Sequence, residues 1–415
     1  MPARSSPGGK SIECAEVTVP QVWAGVDAGK THHHCVVIDT EGQRLMSRRV
    51  LNDETELLRL IADVIALGTD NAVTWAVDLA DGGAALLIGL LAAHDQWLLY
   101  IPGRAVNRAA SGYRGEGKTD ARDAAIIADQ ARMRRDLHPI RPGDEITTEL
   151  KLLTGRRTDL VHDRTRTISR LRELLTSIFP GLERVLDVTN TGPLVLLTGY
   201  QTPAALRRTG QARLESWLGH RKVRGAAELA AKAIQAAQGQ HTTLPAEALT
   251  AQLIATLAGE VMALNEQIRD TDKLIEGRFR RHRHAELITS LPGIGTLLGA
   301  EFLAATGGDL SAFTSADHLA GFAGLAPAPR DSGRVRGNLH RPQRYHRGLQ
   351  RVFYTSALIS IQFSPESRRF YDRKRAEGKH HTQAVLALAR RRVNVLWALL
   401  RDGRYYQPVP VTATA

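Results

Sequence analysis

The spacing of apolar residues changes twice along the first third of the chain. Short apolar runs bounded by tight turns are typical of β-strands. They occupy residues 22–26, 35–38, 72–77, 97–101 and a stretch that ends at Leu51. Helical spacing covers residues 54–67 and 86–93. Strands that first follow one another through turns and then alternate with helices predict a mixed α/β sheet covered by helices.

Longer helical spacing follows residue 142. Apolar residues recur at intervals of three, four and seven from Leu150 to Ile178 and again from Leu253 to Ile268, which predicts two long amphipathic helices. These helices form either coiled coils that dimerise or bridge domains, or a helical bundle within one chain. The predicted domains are a disordered leader (1–20), an α/β domain (21–142), a helical, coiled-coil-like region (143–284), a mostly helical C-terminal domain (285–403) and a tail (404–415).

Composition indicates a cytoplasmic protein with a polyanionic partner. The 415 residues include 55 Lys and Arg against 43 Asp and Glu, a formal charge of +12, and nucleic acid is the simplest partner for such a surplus. The two cysteines, Cys14 and Cys35, cannot build a disulfide framework, which favours a reducing compartment. We expect no membrane span, because no window approaches an apolar run of about 18 residues.

Four aspartates stand where predicted elements begin or end. Asp27 and Asp78 each close a strand, and Asp120 and Asp123 lie one helical turn apart on one face. Carboxylates bind hard divalent ions, and two ions roughly 3.5–4 Å apart assist phosphoryl displacement. The pattern therefore predicts a site for two magnesium ions. Two alternatives stay open: Asp120 stabilises the helix N-terminus instead, or Asp81 replaces Asp78.

Basic residues surround the paired acids in the stretch RGEGKTDARDAAIIADQARMRRD, residues 114–136. We expect its arginines, and Arg114 and Lys118 in particular, to hold the backbone of a nucleic acid. The histidine run at residues 32–34 suggests zinc as an alternative metal. Neighbouring residues on a strand point to opposite faces, however, so the three histidines cannot all bind one ion.

Two features of the C-terminal region also suggest phosphate binding. The segment SLPGIGTLLGAEFLA predicts a helix-hairpin-helix-like turn, in which Gly293 and Gly295 expose backbone N–H groups to a phosphate; a purely structural interhelical turn is the alternative. Farther on, Ser332 lies in a flexible loop with Arg330, Arg334 and Arg336. Arginines there would offset the charge of a bound phosphate.

Three sequence motifs carry a family resemblance. GVDAGKTHHHCVVIDTEG resembles the opening hairpin of RNase H-like, RuvC-type nucleases, and KTDARDA resembles the paired-acid segment of the DEDD transposases of the IS-one-ten insertion-sequence family. The order GLAP, SG and a basic stretch resembles the C-terminal domain of the same family. The resemblance implies that Asp27, Asp78, Asp120 and Asp123 form the family's acid set, although its second position is commonly glutamate. It also implies that Ser332 is the nucleophile.

What the family does supplies the remaining expectations. The resemblance implies a recombinase that cuts and rejoins the DNA of an insertion element, guided by a structured RNA, as a homodimer or homotetramer. It acts in the bacterial cytoplasm, at the nucleoid when bound to DNA. The runner-up is a RuvC-like, junction-resolving or structure-selective nuclease that uses water as its nucleophile. A third alternative is a nucleic-acid-binding protein without catalytic activity.

Overall fold

The computed structural model describes residues 22–68, 73–79, 82–113, 117, 119–140, 145–308, 310–334 and 336–408. The chain divides after Pro142 into two compact units. The first unit contains a mixed sheet covered by helices, as predicted, and the second is almost entirely helical.

The first unit is a six-stranded sheet with helices on both faces. Its strands are β1 (Val22–Ala28), β2 (His32–Ile38), β3 (Arg44–Leu51), β4 (Val73–Val77), β5 (Trp97–Tyr100) and β6 (His138–Pro139). Its helices are α1 (Glu54–Leu67), α2 (Ala85–Ala93), α3 (Gly103–Ala110) and α4 (Asp120–Met133). The strand order is β3-β2-β1-β4-β5-β6; β1 runs antiparallel to β2 and parallel to β4.

Alternation along β1 separates the two faces of the sheet. Val26 belongs to the core that also contains Leu57 of α1, whereas Trp23 packs with Ile127 of α4. Because side chains on a strand alternate, Trp23, Gly25 and Asp27 all point to the α4 side. The predicted acids of the first unit therefore lie on the face of the sheet that α4 covers, and not on the face that α1 covers.

The second unit contains two long helices and several shorter ones. The long helices are α5 (Glu145–Ile178) and α11 (Glu247–Phe279). Between them lie α6 (Pro180–Val185), α7 (Thr191–Gly199), α8 (Pro203–Thr209), α9 (Gln211–His220) and α10 (Ala226–Gln238). After them come α12 (Ala285–Ser290), α13 (Thr296–Thr306), α14 (Ala316–Phe322), β7 (Ala328–Pro329), β8 (Leu339–His340), α15 (Arg347–Phe363), α16 (Pro365–Ala376) and α17 (His381–Asp402).

The two long helices pack against each other within the chain. Arg157 pairs with Asp272 at 2.5 Å and Glu149 with Arg278 at 3.0 Å, so the helices run antiparallel. Of the two arrangements that the sequence left open, the structure has the pairing within one chain. Helix α11 is also long and apolar enough to cross a membrane by length and composition. Only 17% of that apolar stretch is buried, and length and composition alone are weak evidence of a membrane span.

The long helices also contribute to the core of the C-terminal region. Leu150 from α5 and Phe279 from α11 are buried in one cluster with Phe302 of α13 and Phe353 of α15. The domain boundary predicted after residue 284 therefore falls inside a shared core. A second core joins the other halves of α5 and α11 to the short helices α6–α10.

Candidate active site

Strand pairing places two of the predicted acids side by side. Val26 of β1 is in register with Val77 of the parallel strand β4, so Asp27 and Asp78 follow at the same edge of the sheet. The Ala28 N–H donates to Asp78 Oδ1 at 3.3 Å, which ties the end of β4 to β1. Both acids are partly buried.

Helix α4 brings the other two acids to the same face. A Cβ on Gly25 would lie 2.3 Å from the Ala124 carbonyl oxygen and 2.3 Å from the Ala128 nitrogen, so α4 lies directly on the β1 backbone. Asp120 and Asp123 occupy the first turn of this helix. Thr119 caps it, because its Oγ1 accepts from the Arg122 N–H at 3.2 Å.

The electrostatics connect the two pairs of acids. Burial raises the pKa of the Asp78 carboxyl, the Ala28 N–H lowers it, and the Asp123 carboxylate raises it further. His34 is the register partner of Asp27 on β2. Burial lowers the pKa of His34, and the Asp120 carboxylate opposes this shift. The acids of the sheet and those of α4 thus influence one another across one corner of the first unit, which we call the acid corner: Asp27, Asp78, Asp120 and Asp123.

The acid corner offers the ligand chemistry of a hard cation. Its donors are carboxylate oxygens, which Mg²⁺ and Ca²⁺ prefer. A bound cation would also relieve the mutual repulsion that contributes to the raised pKa of Asp78. Within the described residues, however, no three His, Cys, Asp or Glu side chains stand close enough together to form a ready-made metal site. The donor chemistry fits a divalent ion, although the side chains do not form a closed set of ligands.

The predicted serine lies at the tip of a short hairpin formed by β7 and β8. The Arg330 N–H donates to the Asn338 carbonyl at 2.8 Å, and the Asn338 N–H donates to Asp331 Oδ1 at 3.0 Å. Positive φ angles of 53° at Gly333 and 76° at Gly337 shape the turn. Ser332 is therefore presented by a braced hairpin and is exposed.

Exposed cations surround this serine. Arg330, Arg334 and Arg336 are all exposed, and none forms an ion pair with a carboxylate of the described residues. The guanidinium groups are therefore available to a phosphate near Ser332. No described residue hydrogen-bonds to Ser332 Oγ, so the hairpin offers an exposed hydroxyl beside positive charge and, among the described residues, no general base.

Comparison with known proteins identifies the family. Residues 24–180 match a family model described as a transposase and named for a DEDD acid set, and residues 285–372 match the model "Transposase IS116/IS110/IS902 family". The uncharacterized 42 kDa protein of insertion element IS900 from Mycobacterium paratuberculosis is 62% identical, over 95% of this chain and 99% of its own length. The chain belongs to the IS110 transposase family.

Two further relatives extend this likeness. The transposase is 53% identical to the uncharacterized 44.8 kDa protein of insertion element IS116 from Streptomyces clavuligerus, over 95% of this chain and 98% of the relative. It is 28% identical to the mini-circle putative transposase for IS117 from Streptomyces coelicolor, over 93% and 95% of the two chains. Membership implies an enzyme that binds, cleaves and rejoins DNA.

Most arginines near the acid corner of the transposase hold the protein together. Arg122 donates to the carbonyls of Gly117 at 2.8 Å and of Ala110 and Tyr113 at 3.1 Å, which anchors the segment before α4. Arg132 pairs with Asp129 and Arg134 with Asp136, each at 2.7 Å. These three arginines therefore have partners within the protein, and the expectation that the arginines of this stretch hold nucleic acid stays a prediction. Arg114, Lys118 and the alternative acid Asp81 lie outside the described residues.

The histidine run of the transposase divides between the faces of the sheet, as alternation predicted. His33 is only 1% exposed and interacts electrostatically with Asp78, whereas His34 is the register partner of Asp27. Sequence reasoning missed the position of His34 beside the acids. The signal was present: a hairpin whose turn centres on Lys30 and Thr31 puts His34 across from Asp27.

The two glycines of the predicted phosphate-binding turn have different surroundings. Gly293 has φ +85°, and a Cβ there would lie 2.5 Å from the Ser356 carbonyl of α15, so this residue packs inward. The buried Arg392 supports the turn by donating to the Pro292 carbonyl and to Ser356 Oγ. Gly295 precedes α13, and a Cβ there would meet nothing within 4 Å. Gly293 thus has a packing role, and Gly295 is the accessible member.

Proposed function

We propose that this transposase cuts and rejoins DNA at an insertion element with the acid corner as its metal site and Ser332 as its nucleophile. The observation that carries the proposal is the convergence of Asp27, Asp78, Asp120 and Asp123 on one face of the sheet. The strand order and the position of α4 support an RNase H-like, RuvC-type fold for the first unit. In such a fold, acids at a sheet edge serve phosphoryl transfer.

The four acids would hold divalent ions, with magnesium as the expected metal. When bound, the metal offsets negative charge on the phosphoryl group and on the leaving oxygen. The protein contributes rigid placement, because β1 and β4 fix one pair of acids and the capped first turn of α4 fixes the other. The close contact of α4 with Gly25 keeps the two pairs at one separation.

Ser332 would form a covalent link to DNA. Its Oγ attacks the phosphorus and loses its proton to solvent or to a base of the assembled complex, while one bridging phosphodiester oxygen leaves as a hydroxyl. Rejoining reverses the step with the hydroxyl of the new strand, so the energy of the phosphodiester bond is retained. Arg330, Arg334 and Arg336 are exposed beside Ser332 and would neutralise the phosphoryl oxygens.

Guidance by a structured RNA and assembly into a homo-oligomer complete the proposal. The formal charge of +12 supports contact with more nucleic acid than one short DNA site, because each neutralised phosphate needs a cation. Purified protein should therefore carry an RNA transcribed from the element that bears its gene. Light scattering of the protein with and without this RNA would give the number of subunits.

Covalent trapping tests the nucleophile. Ser332→Ala should abolish both recombination and the DNA-linked peptide seen by mass spectrometry after denaturation, with DNA binding nearly unchanged. Ser169→Ala on the exposed side of α5 is the matched control. If Ser332→Ala still recombines, water or another residue is the nucleophile, and the RuvC-like nuclease becomes the better description.

Charge-neutral substitution tests the acid corner. Asp120→Asn or Asp123→Asn should abolish strand cleavage with the fold intact, since either change removes a ligand charge. Asp63→Asn is the control, because Asp63 only pairs with Arg48 on the exposed surface of the same unit. Cleavage at the wild-type rate in either acid-corner variant, or in excess chelator, would refute the metal site.

A further inference from the structure

A basic groove in the second unit lies away from the serine hairpin in sequence and belongs to neither proposed catalytic element. One cavity of about 380 Å³ is lined by Arg164 of α5 and Arg269 of α11. A second cavity of about 700 Å³ lies against the segment that joins α9 to α10. Both cavities are lined by Asn190 and Thr191, so they form one continuous depression. We call it the helical-domain groove.

Positive charge dominates the walls of this groove. Several of its lining charges are already paired: Arg157 with Asp272, and Lys232 with Glu228 at 2.6 Å. The Asp187 carboxylate accepts from Thr189 and Asn190 instead of from a cation. Arg164 donates to Asn265 Oδ1 at 2.5 Å and to the Thr189 carbonyl at 3.1 Å, so it supports the wall of the groove. The other groove cations that form no ion pair with any described carboxylate are Arg269, Arg221, Lys222 and Arg224. Such an excess of positive charge in a concave surface favours a polyanion.

One of these cations is held as a flat platform. The guanidinium of Arg221 lies 3.8 Å from the centroid of the Trp217 ring, and Arg221 is exposed. Stacking on Trp217 fixes the plane of the guanidinium and leaves its outer side accessible. An arginine plane presented in this way stacks on unpaired nucleobases.

The size of the groove selects a single strand. Cavities of roughly 300–1,000 Å³ take single small ligands, the scale of individual nucleotides. A duplex instead covers a broad surface, and its bases are stacked on one another and unavailable to Arg221. We propose that the helical-domain groove binds a single-stranded stretch of nucleic acid, with phosphates at Arg269 and Arg224 and one base stacked on Arg221. The inference does not depend on the chemistry proposed for the acid corner or for Ser332.

Paired charge deletions test the phosphate contacts. Binding of the full-length protein to short oligouridylate RNA, oligothymidylate DNA and duplex DNA would be measured by fluorescence anisotropy over a series of salt concentrations. Arg224→Ala/Arg269→Ala removes one cation from each cavity, and Arg208→Ala/Arg213→Ala removes two exposed cations outside the groove. The groove variant should lower the slope of log K against log salt by about 0.7 per lost contact for single strands. The control should not.

Arg221→Lys tests the stacked base separately. The variant keeps the charge and loses the planar group, so binding to an oligouridylate should weaken by about tenfold. Binding to an abasic strand of the same length should stay unchanged, because that strand has no base to stack.

The source of the strand is read from the same titrations. If the groove variant loses equal affinity for RNA and DNA strands, the groove contacts the phosphate backbone. If it loses more affinity for RNA, the groove also contacts the ribose hydroxyl. If the groove variant loses no more affinity than the control, or loses it for duplex DNA alone, the assignment is refuted. Crosslinking of 4-thiouridine RNA to wild-type protein gives an answer even if a variant does not fold: the adducts should map to residues 217–225.

Discussion

Replacing Gly25 with alanine should separate the two halves of the acid corner. The added Cβ would lie 2.3 Å from both the Ala124 carbonyl oxygen and the Ala128 nitrogen, and contacts under 3.0 Å are essentially never seen. Helix α4 must therefore move back by at least about 0.7 Å. Because Asp120 and Asp123 lie on this helix and Asp27 on β1, their separation should grow by a similar amount.

The expected cost has two parts. Overpacking of this kind destabilises a protein by roughly 1–3 kcal/mol. A displacement of about 1 Å at a catalytic site reduces the rate by as much as about a hundredfold. Thermal unfolding and strand cleavage would measure the two effects. Gly89→Ala is the matched control, since a Cβ there meets nothing within 4 Å; it should keep full activity and stabilise α2 by up to about 1 kcal/mol.

A second substitution separates a backbone contact from side-chain crowding. The groups that meet the new Cβ are backbone atoms of α4, so adding Ala128→Gly to Gly25→Ala should not restore cleavage. Recovery in the double variant would show that side chains set the distance between α4 and the sheet. Wild-type stability and cleavage in Gly25→Ala alone would refute the argument altogether.

Three further outcomes follow from buried groups. Arg392→Ala should lower the free energy of unfolding in urea by about 2 kcal/mol, because it leaves the Pro292 carbonyl and Ser356 without their donor. The control is Arg391→Ala, which removes an exposed ion pair with Glu366 and should cost under about 1 kcal/mol. Equal losses of stability in the two variants would contradict this. Burial raises the pKa of Cys35 to about 12, so iodoacetamide should modify it only after unfolding, as followed by mass spectrometry of its peptide. Asp78→Asn should raise the melting temperature of metal-free protein at neutral pH. The pKa of Asp78 is raised on folding, so its charged form opposes folding above that value; the gain should vanish below the ordinary pKa of 3.8, where Asp78 is protonated in both states.

Local sequence patterns predicted those helices and strands whose ends carry a recognisable capping or turn residue. Helix α1 spans the predicted residues 54–67, because Asp53 caps its start by accepting from the Glu56 N–H at 2.9 Å. Helix α3 was missed, since Pro102-Gly103 indicated only the end of a strand. Residues 181–243 were predicted only as mixed helix and loop. The bounds of α7–α10 were not predicted, because few turns give too little periodicity and their burial depends on α5 and α11.

The sequence predicted the acids of the candidate site, but it did not predict the residues that position them. Asp120 and Asp123 were recognised because helical spacing is a local property. The roles of Gly25 and His34 depend on which helix crosses β1 and on the register of β1 with β2, and both are set by tertiary packing. The structural contacts of Arg122 were missed for the same reason. An arginine in a basic stretch resembles a ligand for phosphate until its three carbonyl partners are known.

The charge of Asp78 opposes the folding of the first unit. Asp78 is partly buried beside a second carboxylate, and both features oppose its charge, yet the Ala28 N–H holds the group at the sheet edge. An asparagine would keep this hydrogen bond through its carbonyl oxygen and lose the repulsion. The charge is therefore a cost to the fold, because the Ala28 N–H and His33 lower the pKa of Asp78 by less than burial and Asp123 raise it; a bound cation would reduce this cost. Added magnesium should accordingly raise the melting temperature of the wild type and not that of Asp78→Asn. If magnesium stabilises both proteins equally, Asp78 holds no metal, and its charge has a different function.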